Sequence, residues 1–359
     1  TPLDLTNAVN VSAGYHHTLA LTSDGTVVGW GRNSEGQVDI PTDLTLPGIS
    51  NVVSIASNGY HSLALKSNGT VVAWGHNNRG QTDVPEDLTN VVAISAGSEY
   101  SQALKSDGTV VAWGRNYSGS LDVPEDLTDV IDIASGEWFN LALKSDGTVV
   151  AWGRNNEDQS EVPEGLANVV AISAGHQHSL ALKSDGNLVA WGRNNESQND
   201  LPSVPEEVQV AIPCDLDGNT YDCTGECGGD VVYDGCNFCG SPELEAGADI
   251  NFECVCDGDD CLLSCSIEEN CLGMCDSDIN DEFCIANEQN NLIGSGWYHN
   301  LAINSDGTVT AWGRNNNQES DVPEDLTNVI KVDGGYLYSV ALQSNGNIVG
   351  WGHNGYGEL

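Results

Sequence analysis

The chain has 359 residues, of which 53 are acidic and 11 are basic, so it carries a net charge of −42 and has a pI near 4.1. This charge excludes a protein that binds nucleic acid by neutralising phosphates, and it disfavours binding to anionic lipid surfaces. Because of this charge we expect no nucleic-acid partner. No apolar segment approaches the roughly 18–20 residues that cross a bilayer, so we expect no membrane insertion either.

An internal repeat organises the chain. A segment close to Ser-Asp-Gly-Thr-Val-Val-Ala-Trp-Gly-Arg-Asn occurs seven times, with its tryptophan at Trp30, Trp74, Trp113, Trp152, Trp191, Trp312 and Trp351. Most copies are 39 residues apart, a short insertion near Leu46–Ser50 lengthens the first interval, and about 82 additional residues separate the fifth and sixth copies. A period of this length is typical of small units that stack on one another.

The third copy shows the predicted elements of one unit in chain order. Residues 90–97 are rich in β-branched and small side chains and predict a first strand, and Ser101–Lys105 predict a second. The Ser-Asp-Gly sequence at 106–108 predicts a hairpin turn before a third strand at Thr109–Trp113. Asp122–Leu127 contains a proline, which permits at best an edge strand or a connecting loop.

Seven such units predict an all-β fold, a seven-bladed β-propeller with three strong strands per blade, because radial repetition leaves only short, protected sheet edges. We expect residues 1–202 to form blades 1–5 and a closure segment, residues 203–290 to form an insertion, and residues 291–359 to form blades 6 and 7. The junction of the insertion stays open, because Val208–Ile212 could also supply the first strand of blade 6.

The opening residues Thr1–Asn7 match the linker that the last unit lacks. We therefore expect the N-terminal segment to complete the last blade and close the ring. Exchange of this segment between molecules is the alternative, and it would give a swapped oligomer or a fibre.

Residues 14–33 and 175–194 resemble repeats of the regulator of chromosome condensation family, and the short unit is similar to that of bacterial members such as beta-lactamase inhibitory protein II. The resemblance covers nearly everything outside residues 203–290. It implies a seven-bladed propeller that serves as a protein-binding platform, but it does not imply one activity. Nucleotide exchange on a nuclear GTPase fits this acidic, cysteine-containing chain poorly, and the contact residues for a beta-lactamase cannot be matched in it.

Three recurrent positions are interpreted as structural. A ring-bearing residue precedes each second strand, namely His17, His61, Tyr100, Phe139, His178, His299 and Tyr338. Three of these seven residues are tyrosine or phenylalanine and have no imidazole to bind a metal. Packing in the core is therefore favoured over a circle of metal ligands. The tryptophans are expected to wedge between blades. The asparagine three residues after each tryptophan, as at Asn33 and Asn77, is expected to take a left-handed turn conformation.

The two residues before that ring differ from copy to copy, and these turns are expected to open on one face of the disc. Aromatic anchors in a polar surround are typical of protein-recognition hot spots, although ordinary loop variation is the alternative. The candidate partner-binding residues are Tyr15, His16, Tyr60, Glu99, Glu137, Trp138, His176, Gln177, Trp297, Tyr298, Tyr336 and Leu337.

A basic or imidazole side chain follows each Trp-Gly pair, at Arg32, His76, Arg115, Arg154, Arg193, Arg314 and His353. In so acidic a chain we expect these side chains to offset nearby carboxylates, such as Asp83 or Asp122, rather than to bind an anion.

All twelve cysteines lie in the insertion, at Cys214, Cys223, Cys227, Cys236, Cys239, Cys254, Cys256, Cys261, Cys265, Cys271, Cys275 and Cys284. An even number of cysteines packed into about 70 residues predicts a disulfide-stapled module from an oxidising compartment, with a pairing that the spacing does not reveal. Zinc is the alternative, because Cys223 and Cys227, and Cys236 and Cys239, have plausible ligand spacing.

Carboxylates of the insertion suggest calcium. The residues between 213 and 286 include 19 acidic side chains and no lysine or arginine, and a solvated acidic surface is the alternative explanation. One candidate set follows an EF-hand loop in part, but its glycine is at the fourth position instead of the sixth and no helices flank it. The candidate ligands are Asp215, Asp217, Asn219 and Glu226, with Asp276, Asp278 and Asn280 as a second set. We expect no organic cofactor.

These features favour a secreted or cell-surface interaction protein, extracellular after removal of a signal peptide, that binds a protein partner or a surface glycan without catalysis. A structural subunit of an extracellular filament or surface layer, formed by self-assembly, is a second hypothesis. A glycan-binding or glycan-cleaving propeller is a third, but the sequence singles out no pair of carboxylates as acid and base.

The disulfide prediction is directly testable. If all twelve cysteines are paired, the protein denatured without reductant contains no reactive thiol, and an alkylating reagent adds no mass. After reduction the same reagent adds twelve groups, which intact-mass spectrometry counts. Twelve groups added before reduction would contradict the prediction.

Overall fold

The computed structural model describes residues 5–47, 49–202, 253–257, 260–264 and 292–359. Seven three-stranded antiparallel sheets organise the described chain, and each sheet contains three strands that are consecutive in the chain. The strands of blades 1–5 are β1 (Ala8–Ala13), β2 (His17–Thr22), β3 (Val27–Gly31), β4 (Val52–Asn58), β5 (His61–Lys66), β6 (Val71–Gly75), β7 (Val91–Ala96), β8 (Tyr100–Lys105), β9 (Val110–Gly114), β10 (Val130–Ser135), β11 (Phe139–Lys144), β12 (Val149–Gly153), β13 (Val169–Ala174), β14 (His178–Lys183) and β15 (Leu188–Gly192).

Blades 6 and 7 contain β18 (Ile293–Ser295), β19 (His299–Ile303), β20 (Val309–Gly313), β21 (Val329–Gly334), β22 (Tyr338–Gln343) and β23 (Ile348–Gly352). The insertion contributes an antiparallel hairpin of β16 (Glu253–Asp257) and β17 (Asp260–Ser264), and a 3-10 turn spans Thr42–Leu44. The first strand of blade 6 is β18, while the alternative at Val208–Ile212 lies outside the described residues. No helix in the described parts of the chain is long and apolar enough to cross a membrane.

The predicted all-β fold of seven three-stranded blades is therefore confirmed. The proline-containing segments such as Asp122–Leu127 form turns and loops, not a fourth strand. Each third strand ends on a glycine, and Gly31 illustrates why. Its φ of 100° is unfavourable for other residues, and a Cβ there would lie 2.6 Å from the carbonyl oxygen of His16.

The hydrophobic core is divided among the seven interfaces between neighbouring blades. Leu19 and Leu21 of blade 1, for example, pack with Ile55 and Trp74 of blade 2. Equivalent clusters lie at the other interfaces, so the tryptophans wedge between blades as predicted. Because each apolar face is buried by the next blade, no blade has a complete core of its own.

A buried backbone carbonyl joins each blade to the next. The residue seven positions after each tryptophan is fully buried, and its carbonyl oxygen accepts a hydrogen bond from a side chain that begins the second strand of the next blade. In blade 1 that carbonyl belongs to Gln37, and it accepts from Ser62 Oγ at 3.0 Å and from Trp74 Nε1 at 2.9 Å. The second-strand donor is present at all seven interfaces, at Thr18, Ser62, Ser101, Asn140, Ser179, Asn300 and Ser339.

The two ends of the chain together close the ring. Val11 and Ala20 of blade 1 pack with Val340 and Leu342 of blade 7, and Leu5 packs against this cluster. The amide of Ala8 donates to the carbonyl of Gly346, as the equivalent amide does between other blades. The carbonyl of Glu358 accepts from Trp30 Nε1 at 2.8 Å and from Thr18 Oγ1 at 2.9 Å. The described part of the N-terminal linker, residues 5–7, thus takes the predicted place, and the C-terminal loop holds the first blade from the other side.

The loop after each third strand is held by an asparagine side chain. Asn77 Oδ1 accepts from the amide of Thr82 at 3.0 Å, and its Nδ2 donates to Asp83 at 2.7 Å. Asn116 binds Asp122 in the same way. None of these seven asparagines is among the non-glycine residues with positive φ in the described chain, so the predicted left-handed conformation was wrong. The side-chain amide, not the backbone, shapes this loop.

The hydrogen bond from a tryptophan to the buried carbonyl of the preceding blade can be tested with a matched control. Trp74 donates to Gln37, whereas the buried Nε1 of Trp152 has no acceptor among the described residues. Replacing either tryptophan by phenylalanine removes similar volume, but only Trp74→Phe removes a hydrogen bond. We expect Trp74→Phe to lower the free energy of unfolding by about 1 kcal/mol more than Trp152→Phe does, as measured by urea denaturation. Equal losses in the two variants would argue against the role of this bond.

Candidate functional site

The turns between the first and second strands surround one end of the propeller axis. Adjacent turns are connected through their backbones, since Tyr15 N donates to Gly59 O at 3.1 Å and Trp297 N donates to Gly335 O at 3.2 Å. The predicted common face of the variable turns is therefore present. Below it lies an axial cavity of about 170 Å³, lined mainly by small residues of the first strands.

Seven side chains of these turns form a continuous group, here named the aromatic cluster: Tyr15, His16, Tyr60, His176, Trp297, Tyr298 and Tyr336. Tyr15 occupies its centre. Its ring stacks on Tyr336 at 4.4 Å, meets Trp297 edge-on at 4.4 Å and lies 5.0 Å from Tyr60. Such offset and edge-to-face contacts stabilise aromatic groups beyond the area that they bury.

Trp297 extends the aromatic cluster across the mouth of the cavity. Its ring stacks on the imidazole of His176 at 3.9 Å, and both residues line the cavity with Glu137. The guanidinium groups of Arg193 and Arg314 both lie over the ring of Tyr298, at 5.3 and 5.2 Å from its centre. Each cation is attracted to the electrons of the ring and helps to hold it in place.

Trp138 is the predicted aromatic residue that does not join the aromatic cluster. Only 9% of it is exposed, and it packs near Tyr100 and against Tyr117, with Arg115 over its ring. Tyr117 itself is 46% exposed. Blade 4 therefore presents a separate, smaller aromatic patch at the rim.

The polar candidates of the turns are engaged with the basic side chains that follow the Trp-Gly pairs. Arg115 contacts Glu99 and Arg154 contacts Glu137, each at 2.6 Å. Arg193 donates to the amide oxygen of Gln177 at 3.1 Å. The prediction that these arginines offset carboxylates was correct for Arg115 and Arg154, although Arg193 contacts an amide. Asp83 and Asp122 were the wrong partners, because the loop asparagines bind them.

Glu137 is the most strongly organised of these carboxylates. Burial would raise its pKa, but hydrogen bonds from His176 and Gln177 and the charge of Arg154 bring its pKa below the ordinary value. It is therefore an anion at neutral pH, fixed below the aromatic cluster.

Two groups at this face were missed by sequence reasoning. Tyr356, from the loop after the last third strand, is 51% exposed and lies 4.6 Å from the ring of His16. Arg32 bridges Tyr356 and Tyr60, with its guanidinium 5.5 and 4.9 Å from their ring centres. The signal for Tyr356 was its place five residues after the tryptophan, a loop position at which no other copy has an aromatic residue. Leu337, a predicted candidate, is partly buried and its carbonyl accepts from His353 N.

The cavity contains an isolated pair of opposite charges. Lys331 donates to Asn10 Oδ1 at 2.7 Å, and Asp333 accepts from the amide of Ala13 at 2.8 Å. Burial lowers the pKa of Lys331, partly offset by Asp333, and burial raises the pKa of Asp333. Both groups lie on β21, so blade 7 alone brings this pair to the axis.

The ring-bearing residues before the second strands are fully buried, which confirms their predicted structural role. Their imidazoles do not share a centre. Each faces the next blade instead, as when His61 Nε2 contacts Ser101 Oγ at 2.9 Å and His299 Nε2 contacts Ser339 Oγ at 2.8 Å. Burial lowers the pKa of His61 and His299 to about 3, so both are neutral in the folded protein.

The predicted calcium ligands and the side chains of all twelve cysteines lie outside the described residues. Calcium binding and disulfide formation stay predictions.

The sequence matches the family model of the regulator of chromosome condensation (RCC1) repeat at residues 8–37, 52–81, 91–120, 130–159, 169–198 and 292–319. These six segments correspond to blades 1–6, and blade 7 repeats the same three strands. The chain belongs to the RCC1-repeat family.

Among the curated proteins, no sequence matches this chain significantly. Three solved structures have the same fold at low sequence identity. The CRINKLY WD40 ectodomain of the Arabidopsis thaliana receptor kinase ACR4 is 16% identical with a TM-score of 0.57, covering 96% of each chain. The ectodomain of the Physcomitrella patens receptor kinase CR4 is 17% identical with a TM-score of 0.60, covering 96% of this chain and 73% of its own. Prp20p from Saccharomyces cerevisiae is 19% identical with a TM-score of 0.56, covering 98% and 83%.

The buried imidazoles make stability depend on pH. The folded pKa of His61 lies far below the ordinary 6.5, so the unfolded chain binds the proton first. Stability is complete above pH 6.5 and falls as the pH drops towards 3. We expect His61→Tyr, which copies blade 3, to reduce the pH slope of the unfolding free energy by about 1.2 kcal/mol per pH unit between pH 6 and 5.

Denaturant titrations at pH 5, 5.5 and 6 measure that slope. Tyr100→Phe serves as the control, since neither tyrosine nor phenylalanine titrates in this range, and its slope should equal that of the wild type. An unchanged slope in His61→Tyr would contradict a buried, neutral His61.

Proposed function

We propose that this chain is an extracellular, non-catalytic propeller that binds a protein partner through the aromatic cluster. The observation that carries the proposal is that the seven side chains of the aromatic cluster come from the variable turns of five blades and meet on one face. The positions involved differ between copies, while the residues that hold the blades together recur. Scaffold packing therefore does not require these rings, and partner recognition is a use that fits their chemistry.

The aromatic cluster is organised before a partner arrives. Tyr15 contacts four neighbouring rings, Trp297 is stacked on His176, and two guanidinium groups lie over the ring of Tyr298. Large side chains that are already fixed lose little conformational freedom on binding, so more of their burial energy contributes to affinity. This organisation favours tight recognition of a defined surface over loose, adaptable contact.

The charged residues around the aromatic cluster also indicate which charge the partner surface should have. Glu99 and Glu137 neutralise Arg115 and Arg154, so these arginines are not available as anion-binding groups. The whole chain has a net charge of −42. An apolar patch bordered by basic residues is therefore the partner surface with the best electrostatic complementarity.

The similar structures support this proposal at the level of the fold. Two of them are ectodomains of plant receptor kinases, which agrees with an extracellular location. The structure of Prp20p was described together with its binding properties to Gsp1p and histones. The fold of Prp20p thus serves for protein binding.

The proposal is tested by replacing Trp297 and Tyr298 with alanine. Blade 3 has Ser98 and Glu99 in these positions, so the turn does not need aromatic residues to fold. We expect the immobilised double variant to lose the proteins that the wild type captures from its native environment, at least about 30-fold in recovered amount, because hot-spot residues contribute about 2 kcal/mol or more. Quantitative mass spectrometry of the eluates measures the loss.

Tyr117→Ala is the matched control, because Tyr117 is an exposed aromatic residue outside the aromatic cluster. It should leave capture unchanged, and thermal unfolding should show that all three proteins are folded. Equal capture by the wild type and the double variant would reject the aromatic cluster as the binding surface.

A further inference from the structure

Three side chains with metal-binding atoms converge where blade 7 meets blade 1. His16 Nδ1 lies 3.2 Å and His353 Nδ1 lies 3.1 Å from the same carboxylate oxygen, Oε1 of Glu358. All three ligand atoms are within 4.8 Å of one another. In the described parts of the chain, no other group of three histidine, cysteine or acidic side chains comes so close together.

The repeat shows that this arrangement is not required by the scaffold. Glu358 is the residue seven positions after a tryptophan, and blades 1, 2, 4 and 5 have glutamine there. Those glutamines receive a backbone amide through Oε1, and Glu358 does the same through Oε2, which accepts from Tyr356 N at 2.8 Å. The scaffold function therefore leaves Oε1 of Glu358 available for another role.

Charge distinguishes Glu358 from the other glutamate at this repeat position. Glu319 lies 3.4 Å from the guanidinium of Arg314, a permanent cation. The side chain of Glu358 is fully buried, and its ion pairs are with two imidazoles, which are charged only when protonated. A bound divalent metal ion would place a permanent positive charge beside the buried carboxylate of Glu358, as Arg314 does for Glu319.

The two distances from the imidazole nitrogens to Glu358 suit a small tetrahedral ion. Ligand atoms about 2.0–2.2 Å from Zn²⁺ at tetrahedral angles lie about 3.3 Å from one another. The two nitrogen–oxygen distances to Glu358 are close to that value.

Access and donor chemistry narrow the choice of ion. The side chain of His353 is 32% exposed, whereas those of His16 and Glu358 are 9% and 0% exposed, so the entry path lies on the His353 side. Two imidazoles with one carboxylate suit zinc and neighbouring transition metals, while calcium and magnesium prefer oxygen ligands alone. Three protein ligands leave one tetrahedral position for water or an external ligand.

We propose that His16, His353 and Glu358 form a binding site for a divalent transition-metal ion, with Zn²⁺ as the best fit. The site joins the first blade to the last, so the bound ion stabilises the closed ring. It also shares His16 with the aromatic cluster, in which the ring of His16 lies 4.4 Å from Tyr15 and 5.4 Å from Tyr336. The site is separate from the calcium ligands expected in the insertion.

The test uses Glu358→Gln, which restores the residue of four other blades, and Glu319→Gln as its matched control. Both variants exchange a glutamate for a glutamine at the same repeat position, but only the first removes a ligand. The full chain is used with its cysteines kept oxidised, so that thiolates do not bind the added Zn²⁺. Isothermal titration calorimetry with Zn²⁺ and the melting temperature with and without Zn²⁺ are measured.

We expect Zn²⁺ to bind one site in the wild type and in Glu319→Gln and to raise the melting temperature of both. Glu358→Gln should bind Zn²⁺ at that site at least about 100-fold more weakly and show no rise. His353→Arg, which copies five other blades, is a second variant that removes a ligand, and the absorption spectrum of bound Co²⁺ should report tetrahedral coordination only in the proteins with all three ligands. Equal Zn²⁺ binding by the wild type and both ligand variants, or no binding by the wild type, would overturn the proposal.

Discussion

The structure depends on one buried backbone carbonyl in each blade, which accepts hydrogen bonds from the next blade. A three-stranded sheet of about 16 residues buries little of its own surface, so its stability comes from its neighbours. Hydrophobic contact alone would allow blades to slide, because it has no directional preference. The carbonyl of Gln37, held between Ser62 and Trp74, sets both the distance and the angle between two blades. The second-strand donor is present at all seven interfaces and the tryptophan donor at six of them, and together these bonds close the ring.

A scaffold held in this way leaves its turns free to differ. The bonds to the buried carbonyl use a main-chain oxygen and side chains of the second and third strands, so the residues before the second strands take no part in these bonds. Blade 3 and blade 4 place Glu99 and Glu137 there, each paired with an arginine. Blade 6 places Trp297 and Tyr298 in the same positions. Surface chemistry thus varies around the axis with little effect on the core.

The departures from the repeat are concentrated at the junction of blades 7 and 1. Glu358 replaces the more frequent glutamine, and His353 replaces the more frequent arginine. Five other blades have a permanently charged arginine at the position of His353. At this junction the carboxylate of Glu358 contacts two imidazoles instead, those of His353 and of His16 from the first blade. Tyr356 adds an exposed ring beside it. The same junction that closes the ring also has the most distinctive chemistry of the described surface.

The sequence by itself determined the number of blades, their three strands and the burial of the ring-bearing residues, because these depend on a period that is repeated in every copy. It also located the variable turns. Sequence reasoning did not find the pairing of Asn77 with Asp83, the isolation of Trp138, or the meeting of His16 with Glu358. These depend on which side chains meet across a turn or across the closed ring, and residues 342 positions apart become neighbours only when the circle is complete. Local pattern fixes local structure, whereas contacts between distant residues arise only from the tertiary fold.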